Sequence, residues 1–133
     1  MNKKVKILKE IIKDDFYNYE YVAERYSIES IIVFLDIENI NISEEMKESI
    51  CSTMRPFDKI FFTDNILCFF FFHCNLEQGY SSIQKKIAKI HFLEQEPDFS
   101  MHQIKNVTEI NKLDRLIRNL LKGLKYPEDT IVL

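Results

Sequence analysis

Apolar positions along the chain recur with two periods, one helical and one strand-like. Val5, Leu8 and Ile12 fall near helical spacing with lysines between them, which predicts an amphipathic helix over residues 3–14. Asn18 to Tyr26 predicts a second short helix, with Tyr21, Val22 and Arg25 on a mixed face. Ile28 to Ile37 reads as a strand whose continuous run Ile31-Ile32-Val33-Phe34-Leu35 suits burial on both faces. Ser43 is placed to cap the next helix, Glu44 and Glu45 suit its first turn, and Met46, Ile50 and Met54 recur every four residues as its inward stripe. Arg55-Pro56 stops it, because proline holds the preceding residue in extended conformations.

Residues 58–63 and 66–73 predict a β-hairpin, with Thr63-Asp64-Asn65 at the turn because Asp and Asn tolerate positive φ. Phe69 to Phe72 fills both faces of the second strand. Exposed, it would template aggregation, so it is expected to be central and covered. Residues 77–90 predict a helix with Tyr80, Ile83, Ile87 and Ile90 inward. Asp98 to Ile104 alternates as a strand. Thr108 is placed to cap a helix carrying Ile110, Leu113, Ile117, Leu120, Leu121 and Leu124, which Gly123 or Tyr126-Pro127 ends, and Thr130 to Leu133 predicts a last short strand. The order is helix, helix, β, α, β, β, α, β, α, β. It implies an α/β fold: a mixed central sheet with a β-hairpin and helices packed on it, around a ferredoxin-like core.

At 133 residues, and with neither repeat nor linker, residues 1–133 read as one domain, on which a helical segment 1–26 packs. A chain of that size buries roughly 65–70 % of its unfolded surface and needs no disulfide or metal staple. Eleven Phe and no Trp make the core phenylalanine-rich, and two Gly leave little for a phosphate-cradling loop. A net charge of −3 makes nucleic acid a poor partner. No apolar run approaches the ~20 residues of a membrane span, and the charged N-terminus is unlike a signal peptide, so a cytoplasmic location without membrane insertion is expected. Cys51, Cys68 and Cys74 match no metal spacing and read as reduced thiols. His73, His91 and His102 read as structural or surface residues.

Four segments, in order, carry a resemblance to a known family. Phe16-Tyr17-Asn18-Tyr19-Glu20-Tyr21-Val22 resembles an opening L-Y-N-R-R-x-F segment, Leu35-Asp36-Ile37-Glu38-Asn39-Ile40 a first-strand D-I-D-x-F motif, and Arg55-Pro56-Phe57-Asp58 an R-x-x-D that leads into a hairpin. Gln84 to Ile90 and Leu116 to Leu124 fall where later helices belong. Together they resemble GGDEF diguanylate cyclase domains, of the nucleotidyl cyclase fold, over nearly the whole chain. Counted from Asp58, the signature pentapeptide falls on Asp64-Asn65-Ile66-Leu67-Cys68. Both glycines are missing, and Ile66 and Leu67 stand where the family carries its acidic pair. Aliphatic side chains cannot ligate Mg²⁺, and the family's phosphoryl chemistry depends on metal ions. The resemblance is thus to a degenerate member with no catalytic residues and no cofactor, acting in signalling through a protein partner or by self-association.

In active members the R-x-x-D motif binds the product, cyclic di-GMP, at an inhibitory site. The resemblance therefore implies an alternative, a cyclic di-GMP receptor using Arg55 and Asp58. Arginine's planar fork suits phosphate or a guanine edge, and an aspartate can accept from guanine N–H groups. Lys85 and Lys86 on the next helix are placed to add phosphate contacts. The bland counterpart is an Arg–Asp pair that satisfies a turn. A second alternative is a cryptic metal-dependent nucleotide enzyme using Asp36, with Glu38 and Glu44 nearby, and the bland counterpart is a solvated acidic loop.

Overall fold

The computed structural model describes residues 3–90, 96–105 and 112–124. Its elements are α1 (Lys3–Tyr26), β1 (Ser30–Asp36), α2 (Glu44–Cys51), β2 (Lys59–Phe62), β3 (Ile66–Phe71), α3 (Leu76–Ile87), β4 (Phe99–Ile104) and α4 (Lys112–Gly123). The proposed cap Thr108, Ile110, the Tyr126-Pro127 stop, His91 and the strand 130–133 lie outside the described residues.

The two helices expected at the N-terminus are one. Nothing in Asp14-Asp15-Phe16-Tyr17 breaks a helix, and the buried stripe Val5, Leu8, Ile12, Phe16, Tyr19 continues at steps of three and four. Ser27, at φ 57°, ends the helix in the left-handed conformation, its N–H on the Ala23 carbonyl.

The sheet order is β2-β3-β1-β4, with every neighbouring pair antiparallel. β1 and β2 run the same way with β3 between them, and β3 and β4 do so with β1 between them. These are two interleaved split βαβ units, the ferredoxin-like plan. The register sets Phe34 against Cys68 and Asp36 against Ile66 on one side of β1, and Phe34 against Ser100 on the other.

Both faces of the sheet are covered. Ile32, Phe34, Ile66, Cys68 and Phe70 pack beneath α1 and α4, while Ile31, Val33, Leu35, Leu67, Phe69 and Phe71 pack beneath α2 and α3. Strand alternation sends odd and even residues to opposite layers, so two buried faces demand the unbroken apolar runs of β1 and β3. Ion pairs tie α1 to α4: Lys9 meets Asp114 at 2.9 Å, and Lys112 meets Glu20.

Two local expectations are corrected. Tyr80 is 53 % exposed. The buried face of α3 is Gly79, Ile83, Lys86 and Ile87, and α3 comes so near β1 that a Cβ on Gly79 would lie 3.2 Å from Ile31 Cγ2. Tyr80 leans outward beside Phe99, ring centroids 5.7 Å apart. The hairpin turn uses no positive φ at Asp64 or Asn65. Thr63 closes it instead: its hydroxyl donates to the Ile66 carbonyl (2.7 Å) and accepts from the Ile66 N–H (3.1 Å).

Candidate functional site

The Arg55–Asp58 segment lies between α2 and β2 and packs against the end of β3. It is a turn, closed by the Asp58 N–H on the Arg55 carbonyl at 3.0 Å. The Asp58 side chain is 1 % exposed and accepts from four donors. These are the Arg55 backbone N–H (3.2 Å), Arg55 Nε (3.0 Å), Arg55 Nη2 (3.0 Å) and the Phe72 N–H (2.8 Å). Its two oxygens are thereby committed inside the fold. The Arg55 guanidinium also donates to the Phe72 carbonyl. Its outer surface faces solvent, since the side chain is 56 % exposed. Tyr19 braces the turn from α1: its hydroxyl donates to the Phe57 carbonyl at 2.7 Å, and its ring stacks on Phe70 at 4.9 Å. Burial pushes its phenol well above the ordinary tyrosine value.

Of the two lysines expected on this site, one reaches it. Lys85 is exposed and, with Arg55, Cys74, Glu77, Gln78, Ser81 and Ser82, lines an open depression of about 380 Å³. Lys86 is turned inward and 2 % exposed. Its ammonium donates to the Thr53 carbonyl (3.1 Å) and Ser82 Oγ (3.0 Å) and lies 5.1 Å from the centroid of Phe71. Desolvation holds its pKa below the ordinary lysine value. Lys86 is a strut between α3 and the segment after α2, and its ammonium is spent on that link. Lys86 lies on the buried face of α3 with Gly79, Ile83 and Ile87. Its partner, the Thr53 carbonyl, is not a sequence feature.

At the other candidate site, Asp36 ends β1. Its N–H bonds the Asp98 carbonyl at 2.8 Å, and its Oδ1 accepts from the Glu38 N–H at 3.0 Å. Across the ladder its neighbour is Ile66, 1 % exposed and in the α1/α4 layer, while Leu67 is 0 % exposed in the α2/α3 layer. The hairpin turn is open: Asp64 and Asn65 line a hollow of about 330 Å³ with Lys3, Lys4 and Ile7 of α1. Glu44 lies in the first turn of α2, capped as expected by Ser43, which accepts from the Met46 N–H at 3.2 Å. Among the described residues, no three His, Cys, Asp or Glu side chains converge. His73 follows β3 and His102 lies on β4, with β1 between the two strands. The three cysteines are free. Among the described residues no helix is long and apolar enough to cross a membrane.

No family model and no curated protein sequence matches the chain. Solved structures do. The diguanylate cyclase SiaD from Pseudomonas aeruginosa, solved in complex with its activator SiaC, superposes with a TM-score of 0.68 at 8 % identity, over 88 % of this chain and 53 % of that one. PelD 158-CT from Pseudomonas aeruginosa PAO1 superposes with a TM-score of 0.57 at 9 % identity, over 88 % of this chain and 45 % of that one. The chain thus spans about half the length of each. Two split βαβ units with helices on both faces, superposing on SiaD at that score, give this chain the fold of a GGDEF diguanylate cyclase.

Proposed function

We propose that the chain is a catalytically inactive, GGDEF-like regulatory module that acts by binding another protein or a second copy of itself. The observation that carries this reading is the burial of Ile66 and Leu67. The two positions where the family holds an acidic pair are here part of two hydrophobic layers. A carboxylate at either place would be buried among apolar side chains, which is costly without a metal or a cation. Asp36 then faces an isoleucine across the ladder, and among the described residues no three His, Cys, Asp or Glu side chains converge there. SiaD, with which the fold is shared, is a cyclase seen in complex with an activator protein, which supports a protein partner for this scaffold. The test is incubation with GTP and Mg²⁺ or Mn²⁺. No cyclic di-GMP above a protein-free blank is expected. Product that disappears in Asp36→Asn would overturn the reading in favour of a metal-dependent nucleotide enzyme.

A second reading, a cyclic di-GMP receptor, is favoured by one observation. Arg55 and Lys85 face the same open depression, which is bounded by the hydroxyls of Ser81 and Ser82. In this version Arg55 and Lys85 meet the ligand, whereas Asp58 holds the arginine in place and Lys86 stays in the fold. Calorimetry with cyclic di-GMP decides it. Heat that is lost in Lys85→Ala and retained in Lys59→Ala supports the receptor, and no heat for the unmodified chain refutes it.

A further inference from the structure

Bonds made inside the fold decide which atoms the depression beside Arg55 can offer a ligand. Arg55 Nε donates to Asp58 Oδ2 at 3.0 Å, and Nη2 donates to Asp58 Oδ1 at 3.0 Å and to the Phe72 carbonyl. Nε carries one hydrogen and Nη2 two, so both nitrogens are fully used. Nη1 is what the guanidinium keeps for a ligand. Arginine reads the O6/N7 edge of guanine as a fork, with N–H groups on two neighbouring nitrogens. Arg55 holds no such fork toward the depression. Asp58 cannot accept from guanine's N–H groups either, since its side chain is 1 % exposed and already receives four donors.

The same accounting turns the neighbouring side chains into donors. Ser82 Oγ accepts from the Lys86 ammonium at 3.0 Å, so its own hydrogen turns away from Lys86, toward the depression that Ser82 lines. Lys86, 2 % exposed, sets a positive charge behind that hydroxyl. Gln78 Oε1 accepts from the Asn75 N–H at 3.0 Å to close the capping box, which leaves the Gln78 amide NH₂ to donate. Lys85 is exposed on the same rim. Arg55 Nη1, Lys85 Nζ, the Ser82 hydroxyl and Gln78 Nε2 thus surround a hollow of about 380 Å³ with donors, two of them cationic. The group that answers such a set is one that only accepts and carries negative charge, as a phosphate does. Glu77 also lines the hollow and opposes an anion there.

We propose that this depression binds the phosphate group of its ligand and does not read the base. Lys85, Arg55 Nη1, Ser82 and Gln78 hold the phosphate oxygens, Lys86 polarises Ser82 from behind, and Glu77 limits the affinity. The inference rests on the receptor reading for the place where a ligand sits. It departs from that reading in specificity: a guanine and an adenine dinucleotide are equivalent here, because the two groups that would tell them apart are spent on each other and on Phe72.

Calorimetry of the full chain with cyclic di-GMP, cyclic di-AMP and pyrophosphate tests it, with thermal melts checking that each variant is folded. The two dinucleotides are expected to bind within about threefold of one another, since a bidentate base contact would separate them by about tenfold or more. Pyrophosphate competes with both. Lys85→Ala weakens all three, and Glu77→Gln, which removes an exposed like charge without disturbing the fold, tightens all three. A preference for cyclic di-GMP of about tenfold or more overturns the proposal and leaves the receptor reading standing. So does a loss confined to cyclic di-GMP in Glu77→Gln, which would make Glu77 the reader of guanine. Pyrophosphate heat that Lys85→Ala abolishes, with none from cyclic di-GMP, refutes the receptor reading and supports a phosphate site. No heat from any of the three, or pyrophosphate binding indifferent to Lys85→Ala, overturns the proposal.

Discussion

Asp58 is held by more groups than any other side chain at the site, and its burial separates it from Arg55 in energetic role. Its carboxylate is inside the fold, serving the Phe72 N–H and the Arg55 backbone as well as the guanidinium. Asp58→Ala strands a part-buried N–H and should cost about 2–3 kcal/mol in denaturant unfolding. Arg55→Ala leaves a buried carboxylate without its cation, so it too destabilises, although its own side chain is half in water. A double-mutant cycle should give a coupling of about 1–2 kcal/mol. Strict additivity would reduce the pair to an exposed ion pair of little worth. The motif was readable from the sequence as Arg and Asp flanking a proline turn. That its acid points inward was not, because the deciding donor, the Phe72 N–H, lies just past the end of β3, fourteen residues away.

Elements differ in how far their own sequence sets them. β1 and β3 followed from unbroken apolar runs. The hairpin was located correctly, but its turn chemistry was misread: the hydroxyl of Thr63 does the work assigned to positive φ at Asp64 and Asn65. α4 ends against β4 with no room to spare. The Ser100 hydroxyl donates to the Leu120 carbonyl at 2.6 Å, and a Cβ on Gly123 would lie 2.6 Å from Ser100 Cβ. Alanine is the better helix former by about 1 kcal/mol. Gly123→Ala should nonetheless lower the melting temperature, by the equivalent of about 1–3 kcal/mol of overpacking. Adding Ser100→Gly should recover part of the loss. A Gly123→Ala variant more stable than the original would show that the contact relaxes freely.

At the scale of the molecule, α1 is both a structural layer and an outward-facing surface. Five of its side chains, Val5, Leu8, Ile12, Phe16 and Tyr19, are buried over Ile32, Phe34, Cys68 and Phe70. Fully burying apolar side chains of that size stabilises by about 1.5–3 kcal/mol each, so the helix contributes on the order of a small domain's whole stability. A chain beginning at Ser27 is expected to lose its cooperative thermal transition. If it melted cooperatively near the original temperature, α1 would be an appendage and not a layer of the fold.

The amino-acid sequence by itself determined the two apolar strands, the amphipathic helices, the hairpin between them and the aliphatic character of positions 66 and 67. These depend on local periodicity and side-chain chemistry, which travel with the residues. Only the tertiary structure decided that Lys86 faces inward while Lys85 faces out, that Tyr80 gives way to Gly79, and that Ile7, Ile11, Tyr17 and Tyr21 remain uncovered. Each of those depends on how closely distant segments approach and which polar groups they bring. Packing distance is a property of the assembled layers and is written in no short stretch of chain.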